Sequence, residues 1–165
     1  MNGIDLREHG SKNIGATNTI RVLGKKWGIP VFICDMLKGL LPVLFMKQHL
    51  GVELTACTTA EMGWLIGTLM AAVLGHTFTC FLKFKGGKGI ATALGALIAF
   101  SPIIAGVALA VWLTCMVCTR YVSLSSILAA VAVEVSTLWQ CVQDGSFNGA
   151  DAVMLSFISV LVVLV

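Results

Sequence analysis

Long apolar stretches constrain this chain more than any other feature, and they lie near residues 27–46, 62–81, 90–118, 123–142 and 152–165. A helix needs about 20 predominantly apolar residues to cross a bilayer, and most of these stretches reach that length. The chain has 165 residues and is 58% hydrophobic and 12% charged, so one soluble core could not bury its apolar surface. The sequence therefore predicts an all-α, polytopic integral membrane bundle that forms one domain over residues 1–165.

The third stretch is too long for a single crossing, and it contains Pro102. Proline removes a backbone donor and clashes with the preceding turn, so we expect separate helices over 90–101 and 103–118. The last stretch, 152–165, would extend about 21 Å at 1.5 Å per residue, which is short of a full crossing. We therefore expect about six helices, the last of them incomplete.

Most of the 11 Lys and Arg residues lie before the first stretch, after the second, or at Arg120. If 90–118 crosses the membrane twice, all three basic connections share one side, which the positive-inside rule identifies as the cytoplasm. A single crossing would place Arg120 outside, so two crossings are the favoured interpretation. The net charge of +3 and the lack of a long basic run argue against a nucleic-acid partner.

The first polar loop reads GSKNIGATNTIR at residues 10–21. A helix there would place Asn13, Thr17 and Arg21 on one face. Ser11 and Asn13 suit a helix start, where free N–H groups favour an anion, and Arg21 has a planar fork that matches phosphate or carboxylate. The alternative is an ordinary capped interfacial helix with a solvated polar face.

The second loop carries GGKG at residues 86–89, just before a helix expected to begin near Ile90. Glycines let the backbone approach a ligand, and Lys88 adds a point charge, although the Walker A spacing is missing. The alternative is a glycine-rich turn whose lysines anchor it to the membrane surface. His76 would be a general base or an oriented hydrogen-bonding group, although a lone His at a helix end is more often structural.

The third loop supplies three hydroxyls, from Ser123, Ser125 and Ser126, which either close an anion pocket or bond back to helix carbonyls. Within the first apolar stretch, Asp35 and Lys38 are spaced to form an ion pair.

Three loops that offer hydrogen-bond donors and cations to an anion beside a membrane suggest phospholipid metabolism. A transporter or channel for phosphate-type anions is the alternative, but it predicts inverted repeats with matching broken helices, and only one stretch is broken.

Three motifs, GSKNIGATNTIRVLGKKWG, GHTFTCFLKFKGGKGIATALG and RYVSLSSI, occur in this order along essentially the whole chain. They resemble the signature stretches of the bacterial acyl-phosphate:glycerol-3-phosphate acyltransferase family (PlsY). The resemblance implies a seven-helix fold in the bacterial inner membrane. It also implies transfer of a fatty acyl group from acyl phosphate to glycerol 3-phosphate at the cytoplasmic face, giving lysophosphatidic acid. No metal, cofactor or acyl-CoA is implied, whereas membrane lipids and an acyl-phosphate synthase are implied as partners.

The resemblance also implies roles for individual residues of the three motifs. Ser11, Arg21, His76 and Lys88 are expected to be catalytic. The expected substrate-binding residues are Asn13, Thr17, Asn18, Lys83, Lys85, Gly86, Gly87, Gly89, Ser123, Ser125 and Ser126. Acyl phosphate is already activated, so positioning of two anions and stabilisation of the oxyanion would supply most of the catalysis without an acyl-enzyme.

Two departures from the family accompany the resemblance. Lys12 stands where the family usually has Gly, between the Ser and the Asn of the first motif. The chain also begins almost at the first motif and ends at LVVLV. We therefore expect it to be truncated at both ends, without the family's first helix and its C-terminal motif.

Overall fold

A computed structural model describes residues 3–52 and 58–143, and in these residues the regular structure is entirely helical. The predicted helix at 152–165 lies outside the described residues. One short 3-10 turn, Cys80–Leu82, accompanies six α-helices within the described residues. These are α1 (Ala16–Leu23), α2 (Lys25–Leu50), α3 (Thr59–Thr77), α4 (Ile90–Phe100), α5 (Pro102–Thr119) and α6 (Val122–Gln143).

Four of the described segments are long and apolar enough to span a membrane. They are α2, the α3 region from Thr59 to Leu82, α5, and α6 up to Gln140. Their outward faces carry large exposed side chains such as Phe45, Trp64 and Val117, the arrangement expected of a surface in contact with lipid. The predicted all-α membrane fold is confirmed.

The helical structure is interrupted where the sequence predicted, between α4 and α5. Ser101 is extended, with φ −142° and ψ 101°, and Pro102 is the first residue of α5. The hydroxyl of Ser101 accepts a hydrogen bond from the Ile104 N–H at 3.5 Å. With 11 residues, α4 is about 17 Å long at 1.5 Å per residue, roughly half a crossing.

The half-length helix α4 packs closely against α2, and the two run in the same direction. A Cβ on Gly39 would meet the Thr92 carbonyl, and one on Gly95 would meet the Met36 carbonyl. Farther along both helices, Lys47 Nζ donates to the Ala99 carbonyl at 3.2 Å. Glycine at these points lets the backbones touch, as is common between membrane helices.

Lys47 also satisfies one of the last carbonyls of α4, which ends at Phe100. The last carbonyls of a helix have no partner within the helix, and exposing them to hydrocarbon is costly. The Lys47 ammonium donates to one of them, on Ala99, and its charge opposes the negative end of the helix dipole. A helix can thus end partway through the bundle.

The core lies where α2, α3, α4 and α5 meet, and its fully buried side chains include Val43, Leu65 and Ile104. Because α3 returns antiparallel to α2, its last turn lies beside the first half of α2, where His76 reaches Asp35. The starts of the parallel helices α2 and α4 therefore lie at the same end of the bundle. That end carries both polar motif loops.

Candidate functional site

The first motif loop is built around the side chain of Asn18, which is 2% exposed. Its Oδ1 accepts a hydrogen bond from the Ser11 N–H at 2.8 Å. Its Nδ2 donates to the carbonyls of Leu6, His9 and Asn13 at 3.2, 3.0 and 2.8 Å. The amide group of Asn18 thus holds the loop onto α1, and direct contact of Asn18 with a substrate stays a prediction.

Helix α1 begins later than the sequence predicted, so the expected helix start at Ser11 and Asn13 is wrong. Gly15 is the N-cap, with φ −69° and ψ 166°, and the helix starts at Ala16. Asn13 lies before the helix, where its Oδ1 accepts from the Gly15 N–H at 2.9 Å, and a local bond of this kind stabilises a turn. Only Thr17 and Arg21, both exposed, share the helix face that was predicted for three residues.

Lys12 occupies a left-handed backbone conformation, with φ 58°. This conformation costs an L-residue roughly 1–2 kcal/mol and costs glycine almost nothing. The geometry therefore explains why a glycine would suit this position. In this chain the exposed Lys12 brings a cation to the loop instead.

The glycine-rich loop packs directly on the end of α3. The Gly86 N–H donates to the Thr77 carbonyl at 2.8 Å, and a Cβ on Gly86 would meet the His76 carbonyl. Gly89 has φ 75° and is the N-cap of α4, so the predicted helix start at Ile90 is confirmed. Lys88 lies exposed between two buried glycines, and Lys83 and Lys85 are also exposed.

His76, which the sequence left without a partner, lies against a buried carboxylate. Its Nδ1 is 3.4 Å from Asp35 Oδ1, and both side chains are 8% exposed. The same oxygen is 2.7 Å from Lys38 Nζ, so the predicted pair of Asp35 and Lys38 is confirmed. The signal that pointed to Asp35 was a charge within an apolar stretch, but nothing in the sequence linked it to His76.

A cleft of about 470 Å³ opens where the first loop meets the glycine-rich loop. It is lined by Asp5, Arg7, Glu8, Lys12, Ile14, Lys85 and Gly86. A neighbouring cleft of about 510 Å³ is lined mainly by apolar residues, among them Leu23, Trp27 and Leu82. Arg21, on α1, and Lys88, in the glycine-rich loop, line neither of these two clefts, although both lie at the same end of the bundle.

Arg7 contributes little free charge to the cleft. Its Nε and Nη2 donate to the Asp5 carboxylate at 2.7–3.1 Å, and these bonds lower the pKa of Asp5 to about 2. Asp5 is therefore ionised at neutral pH, and protonation would weaken the pair only as pH falls below about 4. Lys12 and Lys85 remain to attract an anion, partly opposed by Glu8.

In residues 3–52 and 58–143, no His, Cys, Asp and Glu side chains cluster as a metal site would require.

Two of the three serines of the third motif bond back to helix carbonyls, one of the two alternatives that the sequence left open. Ser125 Oγ donates to the Tyr121 carbonyl at 2.9 Å, and Ser126 Oγ donates to the Val122 carbonyl at 3.0 Å. The hydroxyl of Ser126 also accepts from the Trp112 indole at 3.3 Å, which links α5 to α6. Ser123 is exposed, and contact of any of the three serines with a substrate stays a prediction.

Comparison with known proteins identifies relatives along the whole chain. The family model described as glycerol-3-phosphate acyltransferase matches residues 1–165. The glycerol-3-phosphate acyltransferase of Geotalea daltonii is 50% identical over 131 residues, which cover 79% of this chain and 63% of that protein. The Aquifex aeolicus protein of the same name is 45% identical over 133 residues, which cover 80% of this chain and 65% of that protein. The chain thus spans less than two thirds of the length of either relative.

Two crystal structures of PlsY, an integral membrane glycerol 3-phosphate acyltransferase, resemble the fold. The glycerol 3-phosphate form matches with a TM-score of 0.80 and 40% identity, covering 98% of this chain and 73% of that one. The lysophosphatidic acid form matches with a TM-score of 0.76 and 38% identity, covering 94% of this chain and 71% of that one.

Proposed function

Because the chain belongs to the glycerol-3-phosphate acyltransferase family, we propose that it transfers a fatty acyl group from acyl phosphate to glycerol 3-phosphate. The products are lysophosphatidic acid and inorganic phosphate. The names of the relatives and the two ligand forms of PlsY support the acceptor and the acylated product in this assignment. The structural observation that carries it is the cleft between two motif loops, where Lys12 and Lys85 offer cations at one end of an apolar bundle.

In the proposed reaction, the glycerol hydroxyl attacks the acyl carbonyl. A carbon–oxygen bond forms to glycerol, the bond from the carbonyl carbon to the phosphate oxygen breaks, and the departing phosphate takes up the hydroxyl proton. Arg21 and Lys88 bind phosphate groups, and His76 Nε2 accepts a hydrogen bond from the hydroxyl and so directs it. Holding two anions in the right orientation supplies most of the acceleration, because acyl phosphate is already an activated donor.

The cellular setting belongs to the same proposal. The chain would act as one membrane-embedded acyltransferase domain in the bacterial inner membrane, with the cleft at the cytoplasmic face. The concentration of Lys and Arg in the motif loops supports that orientation. The acyl chain would reach the site from the surrounding lipid, and an acyl-phosphate synthase would supply the donor.

The test is acyl transfer to labelled glycerol 3-phosphate by the chain in reconstituted membranes. We expect product with acyl phosphate and none with acyl-CoA or acyl carrier protein. Arg21→Ala and Lys88→Ala should each raise the KM for glycerol 3-phosphate at least tenfold, since a hydrogen bond to a charged group contributes roughly 1.5–3 kcal/mol. The matched control is Lys26→Ala, which removes an exposed cation on α2 that lines neither of the two clefts.

Near-normal kinetics in either variant would remove that residue from the site. The alternative function, anion transport, would be supported by uptake of labelled phosphate into sealed vesicles in the absence of an acyl donor.

A further inference from the structure

We propose that Asp35 is a positioning residue that holds His76 in one tautomer, with its Nε2 directed at the glycine-rich loop. This inference rests on the proposed function, because it concerns the group that would direct the glycerol hydroxyl. Asp35 comes from α2 and His76 from the last turn of α3, so the two meet only through the packing of these helices.

The imidazole of His76 is held between two fixed partners. On one side, Nδ1 is 3.4 Å from Asp35 Oδ1. On the other side, the ring packs against Gly87, and Nε2 is the ring atom nearest to the place where a Cβ would stand. Any side chain at residue 87 would occupy that space, so a glycine there lets Nε2 reach the loop.

A carboxylate accepts hydrogen bonds and cannot donate them, so of the two neutral tautomers of the imidazole it selects the one that carries its proton on Nδ1. Nε2 then has a free lone pair on the side of Gly87. The separation of 3.4 Å is longer than an ideal hydrogen bond. Such bonds in enzymes often tighten only when a substrate binds. A small movement of the ring would complete this one.

Lys38 contacts the same carboxylate as His76 but plays a different role there. Its Nζ is 2.7 Å from Asp35 Oδ1, and its side chain is 56% exposed. An ion pair reduces the cost of keeping a carboxylate within an apolar span. Lys38 therefore balances the charge of Asp35, whereas Asp35 itself sets the direction of the imidazole.

The direct test is nitrogen NMR of ¹⁵N-histidine in the chain in lipid nanodiscs, with the His76 signals assigned from their loss in His76→Gln. The wild type should show a protonated Nδ1 and an unprotonated Nε2. Asp35→Asn should lose this preference, because its amide can donate to Nδ1 as well as accept from it. Lys38→Gln, the matched control, removes the other partner of Asp35 and should leave the tautomer unchanged.

Kinetics supply the second readout. Asp35→Asn should lower kcat about 100-fold, in the range expected when a group that orients the substrate is misplaced, and should leave the KM for glycerol 3-phosphate almost unchanged. Asp35→Glu should restore the Nδ1–H tautomer and part of kcat. Lys38→Gln should alter kcat by less than about twofold, because Lys38 balances the charge of the carboxylate and does not set the direction of the imidazole.

The outcomes separate this inference from the proposed function. A wild type protonated at Nε2, or a folded Asp35→Asn with unchanged tautomer and kcat, would overturn the positioning role, as would equal effects of Asp35→Asn and Lys38→Gln. If Asp35→Asn does not fold, loss of the tautomer in Asp35→Glu would count against the inference, and its retention with partial kcat would support it. If wild type transfers no acyl group but its tautomer depends on Asp35, the positioning stands and the proposed function fails.

Discussion

Replacing Asn18 by Ala should release the first motif loop while leaving the bundle intact. Asn18 is 2% exposed, and its amide accepts one hydrogen bond and donates to three carbonyls. Two N–H hydrogens can supply only two full bonds among three acceptors, so the amide provides about three full hydrogen bonds in all. At roughly 1 kcal/mol each, Asn18→Ala should destabilise the closed loop by about 3 kcal/mol.

That magnitude can be measured by hydrogen exchange of the chain in nanodiscs. Since each 1.4 kcal/mol is a factor of ten, exchange at the Ser11 amide should accelerate by roughly 100-fold. Amides in α5 should exchange as they do in the wild type. Asn18→Asp is an informative intermediate, because it keeps the acceptor for Ser11 but loses both donors.

Thr17→Ala is the matched control, since Thr17 is an exposed neighbour on the same helix. We expect loop exchange in this variant to stay close to that of the wild type. Equal exchange rates at Ser11 in wild type and Asn18→Ala would refute the reasoning. They would show that the loop holds its shape without the Asn18 amide.

Three further substitutions, with Gly63→Ala as a control for the first, test other parts of the structure. Gly39→Ala places a Cβ against a backbone carbonyl of α4, and overpacking of this kind costs about 1–3 kcal/mol, so the thermal unfolding midpoint in detergent should fall. Gly63→Ala, in open space, should leave it unchanged. Lys47→Met removes the donor to the end of α4 and should lower the same midpoint by an amount equivalent to about 1 kcal/mol. Asp5→Asn frees Arg7 in the cleft, so glycerol 3-phosphate should bind more tightly by calorimetry, with a gain that shrinks as salt is added.

Each of these predictions would be contradicted by a specific result. Equal midpoints for the two glycine variants would mean that α2 and α4 do not touch at Gly39. An unchanged midpoint in Lys47→Met would mean that water or another group satisfies the end of α4. Weaker or salt-independent binding in Asp5→Asn would show that Arg7 does not face the anion.

Much of the fold could be predicted from the sequence, because hydropathy and proline act locally. An apolar stretch long enough to cross a bilayer must satisfy its own backbone as a helix, which determined the spanning segments. Pro102 ended one helix and began the next, and the glycines at 86–89 led into a helix at Ile90. The start of α1 was missed because Asn13 formed a local turn with Gly15 instead of capping a helix.

The candidate site was only partly predictable, because its decisive contacts join distant parts of the chain. Composition identified the loops whose cations and glycines suit an anion. Only the antiparallel packing of α2 and α3 decided that Asp35 faces His76, and only the parallel packing of α2 and α4 brought Lys47 to Ala99. Charges and glycines are therefore visible in the sequence, whereas their partners depend on which helix faces meet. Those faces are selected by packing between helices, and a local sequence pattern does not record that packing.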